Sequence, residues 1–217
     1  MQNLAIDPLS LPSGSSQPRD DFVLFSASSD RELRRWHISL ARAHELPESI
    51  EKPLRPHETS IWALRFDSEG DLWTASADKT AKHLVRERGW AVDTTLQHGD
   101  FVDDVLPVED LGLVVTACRD ENVRVWDAGS GECVCVYEGH FEEVTGLARV
   151  GRSSVVSVSI DATVRRWSLE KAEMRKFGEE RAKEARGEGG EGPAGGKRKP
   201  ALTAEEEDEL AELMGDD

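Results

Sequence analysis

The stretch Thr116-Ala117-Cys118-Arg119-Asp120-Glu121-Asn122-Val123-Arg124-Val125-Trp126-Asp127 decides the fold, because its pattern returns along the chain. A small hydroxyl residue is followed four positions later by an aspartate, and six positions after that usually by a tryptophan. The four occurrences are Ser26, Asp30 and Trp36; Thr74, Asp78 and Leu84; Thr116, Asp120 and Trp126; and Ser157, Asp161 and Trp167. A recurrence of this kind indicates one structural unit used repeatedly.

A second marker accompanies the first. His57, His98 and His140 precede their aspartates by 21, 22 and 21 residues, and successive aspartates are 48, 42 and 41 residues apart. These residues resemble the WD-repeat β-propeller family, whose Gly-His opening appears as Gly139-His140 and whose Trp-Asp closing appears as Trp126-Asp127. A period of about 40–45 residues is the length of one propeller blade. The resemblance covers about residues 3–169.

Short apolar stretches bounded by turn residues predict the strands of these blades. Val123 to Trp126 alternates apolar and charged residues, which is the period of a half-buried strand. The other predicted strands are Asn3 to Pro8, Phe22 to Ser28, Ile61 to Phe66, Leu72 to Ser76, Trp90 to Leu96, Val102 to Val108, Leu111 to Cys118, Cys133 to Tyr137, Val144 to Val150 and Ser154 to Ser159. The fold class is therefore all-β, with blades packed face on face.

About four blades are visible, over residues 1–45, 46–88, 89–130 and 131–169. We expect the first to be incomplete, because no histidine occurs before His37. We also expect the fourth to lack an outer strand after Glu170. Since propellers usually close with four to eight blades, the chain is predicted to be part of a larger or open propeller that needs missing blades or a partner to close. A four-bladed or self-paired ring is the alternative.

The resemblance implies that the repeated markers form a hydrogen-bonded chain inside each blade, which gives them a structural rather than a catalytic role. The complete set is expected in blade three (His98, Thr116, Asp120 and Trp126) and in blade four (His140, Ser157, Asp161 and Trp167). Blade two keeps His57, Thr74 and Asp78, but it has Leu84 in place of the indole, so we expect simple apolar packing there. Blade one contributes Ser26, Asp30 and Trp36.

The resemblance also implies that the turns after the histidines and before the aspartates share one rim. Trp62, Phe101, Arg119 and Phe141 are the predicted protein-binding residues, because aromatic and arginine side chains are the usual anchors of protein interfaces. Phe101 and Phe141 are the preferred anchors, and packing of one or both between blades is the alternative. Arg119 is the best electrostatic candidate for an acidic peptide.

Composition narrows the partners. The chain of 217 residues has a net charge of −16, which disfavours nucleic-acid binding. No run of 18 apolar residues predicts a membrane span. Three cysteines without a signal peptide favour a reducing compartment, either cytoplasmic or nuclear. Cys133 and Cys135 lack partners at zinc spacing, so we expect neither a metal site nor a cofactor.

The C-terminal region differs in composition from the blades. Residues 170–186 predict a solvated helix with interspersed opposite charges. Residues 187–200 predict a flexible glycine-rich linker that ends in the basic cluster Lys197-Arg198-Lys199-Pro200, a weak nuclear import signal. Residues 201–217 contain eight acidic and no basic residues. Leu210, Leu213 and Met214 form an apolar stripe there, which fits either a short helix that docks in a partner or a disordered acidic tail.

Two classes of function remain. The favoured one is a non-catalytic scaffold or adaptor that binds other proteins or peptides within an intracellular complex. A reader of modified or phosphorylated peptides with the same fold is the alternative. An enzyme is disfavoured, because the sequence has no glycine-rich phosphate loop, serine elbow or His-Glu helix motif.

Overall fold

Four antiparallel sheets in sequence order make up the fold of this computed structural model, which describes residues 3–10 and 21–186. Sheet one contains β1 (Asn3–Ile6), β2 (Phe22–Ala27), β3 (Leu33–Ile38) and β4 (Ala43–Glu45). A short helix, α1 (Pro47–Glu51), follows. Sheet two contains β5 (Ile61–Phe66), β6 (Leu72–Ser76), β7 (Thr80–Val85) and β8 (Ala91–Gln97).

The second half of the fold repeats this arrangement. Sheet three contains β9 (Val102–Val108), β10 (Leu113–Cys118), β11 (Val123–Asp127) and β12 (Cys133–Tyr137). Sheet four contains β13 (Val144–Arg149), β14 (Ser154–Ser159) and β15 (Val164–Ser168), and the helix α2 (Lys171–Ala185) follows. Within each sheet the strands pair in chain order as consecutive antiparallel neighbours. The all-β prediction is confirmed, and the sheets do not close into a ring.

Two expectations about the ends of the repeat array differ in outcome. Sheet one, which we expected to be incomplete, has four strands, because the three-residue β4 pairs with β3 from His44 to His37. The apolar content of β4 is too small for a strand to be predicted there. Sheet four has only three strands among the described residues, in agreement with the missing outer strand expected after Glu170.

The predicted blade boundaries differ from the sheets. The boundary at 88/89 falls between β7 and β8, and the boundary at 130/131 falls between β11 and β12, yet each pair lies in one sheet. The sequence repeat is therefore offset from the sheet by one strand, because the outer strand of each sheet comes after the last marker of its repeat.

Three apolar clusters join neighbouring sheets. Leu84 of sheet two lies in a buried cluster with Phe25 of sheet one. Trp126 of sheet three is buried with Ala75 of sheet two, and Trp167 of sheet four is buried with Val115 of sheet three. The residue at the tryptophan position of sheets two, three and four therefore always faces the preceding sheet. The stack of sheets is therefore polar, because each of these sheets turns the same face toward the sheet before it.

The chain divides into two compact units after Gly178, and the sheets belong to the first. In that unit the beginning of α2 is docked rather than solvated: Met174 is only 3% exposed, and the Phe177 ring lies 4.8 Å from that of Tyr137. The expectation of an exposed helix was thus wrong for this part, since Met174 and Phe177, three residues apart, share one helical face. In the second unit Glu179–Ala185 is exposed, with an ion pair between Arg181 and Glu184.

No helix within residues 3–10 and 21–186 is long and apolar enough to cross a bilayer. The predicted linker 187–200 and the predicted tail 201–217, including Leu210, Leu213 and Met214, lie outside the described residues.

Candidate functional site

Blade four contains the full polar network at the rim end of sheet four. His140 Nε2 lies 2.7 Å from Ser157 Oγ, and Trp167 Nε1 donates to the same oxygen at 2.8 Å. Because Ser157 accepts from the indole, its own proton is available to His140 Nε2, so the ring proton lies on Nδ1. Nδ1 then donates to Asp161 Oδ2 at 3.0 Å. Both ring nitrogens of the histidine are thereby bonded.

Asp161 also ties two turns together. Its carboxylate accepts the amide of Phe141 at 3.0 Å and the hydroxyl of Thr163 at 2.6 Å. Burial favours the neutral acid, but the hydrogen bonds from Thr163 and from the Phe141 amide hold the pKa of Asp161 well below its usual range. The ionised carboxylate thus fixes the backbone at Phe141, one of the predicted anchors.

Blade two builds the same network without an indole. His57 lies 2.7 Å from Thr74 Oγ1 through Nε2 and 2.9 Å from Asp78 Oδ2 through Nδ1. Asp78 in turn accepts the hydroxyl of Thr80 and the amide of Glu58. The expectation of simple apolar packing was therefore wrong for the polar residues and holds only for Leu84, which is buried among apolar side chains. Burial lowers the pKa of His57 despite the carboxylate.

Blade three departs from the expected set. His98 Nε2 and Trp126 Nε1 both bond to Thr116 Oγ1 at 2.8 Å. His98 Nδ1, however, bonds to the Leu96 carbonyl at 3.1 Å rather than to Asp120. Asp120 instead accepts both guanidinium nitrogens of Arg124, at 2.9 and 2.6 Å. Burial, reinforced by the Arg124 charge, lowers the pKa of His98 to about 4.

Two features of the sequence account for this departure. The spacing from His98 to Asp120 is one residue longer than in blades two and four, and Asn122 occupies the place of Thr80 and Thr163. Each of those threonines lies 3.1 Å from the Nδ1 of its own histidine. Without that hydroxyl and with an added residue, the histidine and the aspartate of blade three find separate partners.

Blade one retains the part of the network that does not need a histidine. Trp36 Nε1 donates to Ser26 Oγ at 2.8 Å, and Asp30 pairs with Arg34. Burial opposes ionisation slightly, but the Arg34 hydrogen bond lowers the pKa of Asp30. Blades one and three thus share an aspartate–arginine pair four residues apart, whereas blades two and four share the histidine–aspartate pair.

Three of the four predicted rim residues meet in one cluster. The Arg119 guanidinium carbon lies 4.4 Å from the Trp62 ring centre and 5.6 Å from that of Phe101. The two rings contact each other edge to face at 5.6 Å. Trp62 comes from sheet two, whereas Phe101 directly precedes β9 and Arg119 directly follows β10 of sheet three. The cluster therefore joins two blades at the rim, and its side chains are half-buried.

Carboxylates already surround the arginine of this cluster. Arg119 Nε lies 3.2 Å from Asp103 Oδ2 and 3.3 Å from Glu143 Oε2. Burial raises the pKa of Asp103, and Arg119 partly offsets that effect. Arg119 was predicted to attract an acidic peptide, but its charge is largely balanced by these two carboxylates.

Phe141 occupies a different environment. Its side chain is 50% exposed, and the Arg165 guanidinium carbon lies 5.8 Å from the ring centre. Ile160, in the turn that leads to Asp161, is 60% exposed, and its amide bonds to the Glu143 carbonyl. The two preferred anchors therefore differ: Phe101 packs between blades, and Phe141 is open to a partner. The sequence pattern places Ile160 at this rim, directly before Asp161, but the prediction does not select it as an anchor, although an isoleucine in a polar turn signals an exposed apolar side chain.

The comparisons with known proteins fit this geometry. The family model described as "WD domain, G-beta repeat" matches residues 48–83, 91–127 and 131–168, which together make up more than half of the chain. The chain belongs to the WD-repeat family. The segments 91–127 and 131–168 begin at or just before the outer strand of the preceding sheet, which reproduces the offset between WD repeat and sheet, whereas the segment 48–83 begins after β4.

Several curated relatives match large parts of the chain. An uncharacterized WD repeat-containing protein of Schizosaccharomyces pombe is 36% identical over 202 residues, which cover 92% of this chain and 50% of the relative. Coronin-7 of Homo sapiens is 29% identical over 51% of the chain and 12% of its own length. Nuclear distribution protein nudF of Aspergillus niger is 30% identical over 54% of the chain and 26% of its own length.

A solved structure shows the same fold. The WD40 β-propeller domain of Doa1 is 29% identical, with a TM-score of 0.55 over 67% of this chain and 46% of that chain. The present WD-repeat chain thus spans about half the length of the Schizosaccharomyces pombe relative and less than half of the Doa1 domain.

Proposed function

We propose that this WD-repeat chain is a non-catalytic scaffold or adaptor that binds other proteins or peptides at the rim formed by Trp62, Phe101, Arg119 and Phe141. The observation that carries the proposal is the prebuilt cluster of Trp62, Phe101 and Arg119, which the ion pair with Glu143 links to the turn that carries the exposed Phe141. Such a surface loses little side-chain entropy when a partner binds, because most of its rotamers are already fixed.

Phe141 and Ile160 provide the apolar contact of the proposed interface. Both are at least half exposed, and hydrogen bonds to Asp161 and Glu143 fix the backbone that carries them. An exposed aromatic ring on a rigid turn is a typical hot spot, because its burial contributes free energy with little ordering cost. The half-buried cluster of Trp62, Phe101 and Arg119 provides a surface of fixed shape and one positive charge.

The charges of the rim favour a neutral or basic partner segment over a phosphorylated one. Asp103 and Glu143 already pair with Arg119, and the neighbouring exposed Glu142 adds further negative charge, whereas Asp100 lies 3.9 Å from Lys79 Nζ. A phosphate group placed at Arg119 would meet these carboxylates as well as the guanidinium. The reader of phosphorylated peptides is therefore the less supported alternative, and an enzyme is not proposed, since the fold is generally non-catalytic.

The rim proposal is tested by affinity capture with matched variants of the full chain. Phe141→Ala and Arg119→Ala are expected to reduce the recovery of at least one stoichiometric partner, whereas Val92→Ala on β8, where Val92 is 43% exposed, leaves it unchanged. Circular dichroism establishes that each variant is folded. Partner recovery that is the same for all three variants would place the binding surface elsewhere.

The two ends of the stack form a second part of the proposal. The front face of sheet one carries Leu4, Ile6, Leu24 and Trp36, which the strand register places on one side together with Ser26 and Arg34; Leu4 and Ile6 are 46% and 48% exposed. The back face of sheet four consists of Val156, Val158 and Val164, and the last two are 41% and 68% exposed. Apolar faces of this kind pack against another sheet at each interface inside the stack.

We infer that further sheets of the same repeat cover both faces and complete a larger propeller. Light scattering after size exclusion tests this with the 217-residue chain alone. Uncovered faces are expected to cause concentration-dependent association that Val164→Glu reduces and Val92→Glu, on the outer strand of sheet two, does not. A compact monomer at all concentrations, insensitive to both changes, would contradict the larger propeller.

The location of the protein in the cell also belongs to the proposal. A reducing compartment, cytoplasmic or nuclear, agrees with the free thiols of Cys118, Cys133 and Cys135. Burial raises the pKa of Cys118 and Cys135 to about 11, so both stay protonated and unreactive. A fluorescent fusion tests the nuclear alternative: replacement of Lys197, Arg198 and Lys199 by alanine shifts a nuclear protein to the cytoplasm and leaves a cytoplasmic one in place.

A further inference from the structure

Three potential metal ligands meet at the end of sheet two that lies opposite to the rim. Asp67 and Asp71 flank the turn between β5 and β6, and His83 lies near the end of β7. His83 Nε2 is 3.4 Å from Asp67 Oδ2 and 3.8 Å from Asp71 Oδ2. One ligand atom from each residue lies within 4.8 Å of the other two. The cluster is separate from the histidine network and from the rim residues.

The imidazole nitrogen in this cluster has no hydrogen-bond partner. His83 Nε2 is inaccessible to solvent and makes no hydrogen bond, although it points at the two carboxylates. Buried polar atoms are nearly always satisfied in native proteins, so an orphaned ring nitrogen indicates a missing partner. A metal ion bound to Nε2 supplies that partner.

The two aspartates are held in position by their other oxygens. Asp67 Oδ1 accepts the amides of Glu69 at 3.1 Å and Asp71 at 2.8 Å. Asp71 Oδ1 accepts the amide of Arg86 at 2.7 Å. The turn therefore fixes both carboxylates before any ligand arrives, and each has its second oxygen near His83. Such supporting bonds are what orients the ligands of metal sites.

The histidine ring is fixed as well. It stacks on Trp73, with ring centres 4.6 Å apart and planes inclined by 24°. On its other side, Nδ1 lies 4.0 Å from Asp93 Oδ2. At that distance Asp93 flanks the ring without a hydrogen bond, and Nε2, which faces Asp67 and Asp71, is the nitrogen placed for coordination.

We propose that Asp67, Asp71 and His83 form a binding site for a divalent transition-metal ion of the zinc class. Metal–ligand bonds of about 2.0–2.2 Å place neighbouring ligand atoms at separations like those seen here. Imidazole nitrogen favours zinc, cobalt or nickel over calcium and magnesium, which prefer oxygen ligands alone. Bound there, the ion ties the β5–β6 turn to β7 and keeps its remaining positions for water.

Calorimetric titration of Zn²⁺ into the full, untagged chain tests the site. The Cys133→Ser background removes the exposed thiol, and His44→Gln serves as the matched control because His44 pairs with His37 on sheet one. One site is expected in the background protein and in His44→Gln. His83→Gln and Asp71→Asn are each expected to weaken it by at least about tenfold.

The two variants separate metal binding from the competing arrangement, in which protonated His83 simply bridges the aspartates. Asp71→Asn keeps the oxygen that accepts the Arg86 amide, so it decides the question if His83→Gln does not fold. The visible absorption of bound Co²⁺ provides an independent readout and is expected to disappear in Asp71→Asn. Zn²⁺ affinity equal in the background protein and in Asp71→Asn, or no binding at all, would overturn the proposal.

Discussion

Sheets two and three are neighbours with the same histidine, threonine and aspartate, yet their hydrogen bonds differ. In sheet two His57 joins Thr74 to Asp78, and no indole takes part. In sheet three the indole of Trp126 donates to Thr116, and Asp120 bonds to Arg124 instead of to the histidine. A repeat marker therefore specifies the position of a side chain in the fold, whereas its partners depend on one residue of spacing and on the residue two positions after the aspartate.

The largest expected effect comes from the hydroxyl groups. Thr116→Val leaves His98 Nε2 and the indole of Trp126 without their shared partner, whereas Thr74→Val removes the bond to His57 and a longer bond to the Lys82 carbonyl, and no indole is affected. Because each buried polar atom left unsatisfied costs about 1–3 kcal/mol, we expect losses of about 2–4 kcal/mol for Thr116→Val and about 1–2 kcal/mol for Thr74→Val. Urea unfolding measures both, and equal losses would mean that the indole bond contributes little.

The next largest loss of stability is expected from replacing the basic residues that lie four positions after the aspartates. Arg124→Gln removes both bonds to the part-buried Asp120, and a loss of about 1–3 kcal/mol is expected. Lys82 occupies the same position in sheet two but donates to the Pro56 carbonyl, so Lys82→Gln leaves Asp78 paired and costs less than about 1 kcal/mol. The comparison fails if Lys82→Gln destabilises the protein as much as Arg124→Gln.

The smallest and most gradual effect is the dependence of stability on pH. The pKa of His98 falls from 6.5 to about 4 on folding, first through burial and then through Arg124. Between these values the unfolded chain binds a proton that the folded chain does not, so stability decreases as pH falls from about 6.5 to 4. The size is on the order of 2 kcal/mol. His98→Gln is expected to flatten this slope more than His57→Gln, because Asp78 opposes the lowering of the His57 pKa.

Strands with strong patterns were predictable from the sequence. The bounds of β5, β6, β9, β12 and β14 equal the predicted stretches, because alternation or continuous apolar character ends at clear turn residues. The strand β4 was not predictable, since Ala43–Glu45 is short and has little apolar surface. The docking of Met174 was obscured by the surrounding charges, although its spacing from Phe177 carried the signal.

The residues of the candidate site were predicted less completely than the strands, because their partners depend on how strands and sheets pack. The position of Arg119 beside Trp62 and Phe101 follows from the shared rim. Its pairing with Asp103 and Glu143 depends on contacts within sheet three and between sheets three and four, which spacing along the chain does not encode. The cluster of Asp67, Asp71 and His83 was missed because its ligands come from a turn and a strand that only the sheet brings together.

The direction of the stack restricts what can complete it. A tryptophan-bearing surface lies open at one end and a valine-bearing surface at the other. A twofold axis between two copies would pair each surface with a copy of itself, whereas inside the stack the face with the tryptophan position packs against the opposite face of the preceding sheet. Further sheets therefore add head to tail, with one face of each new sheet packed against the opposite face of its neighbour. Any protein segment that completes the propeller must present a valine-type face to Trp36 at one end and a tryptophan-type face to Val164 at the other.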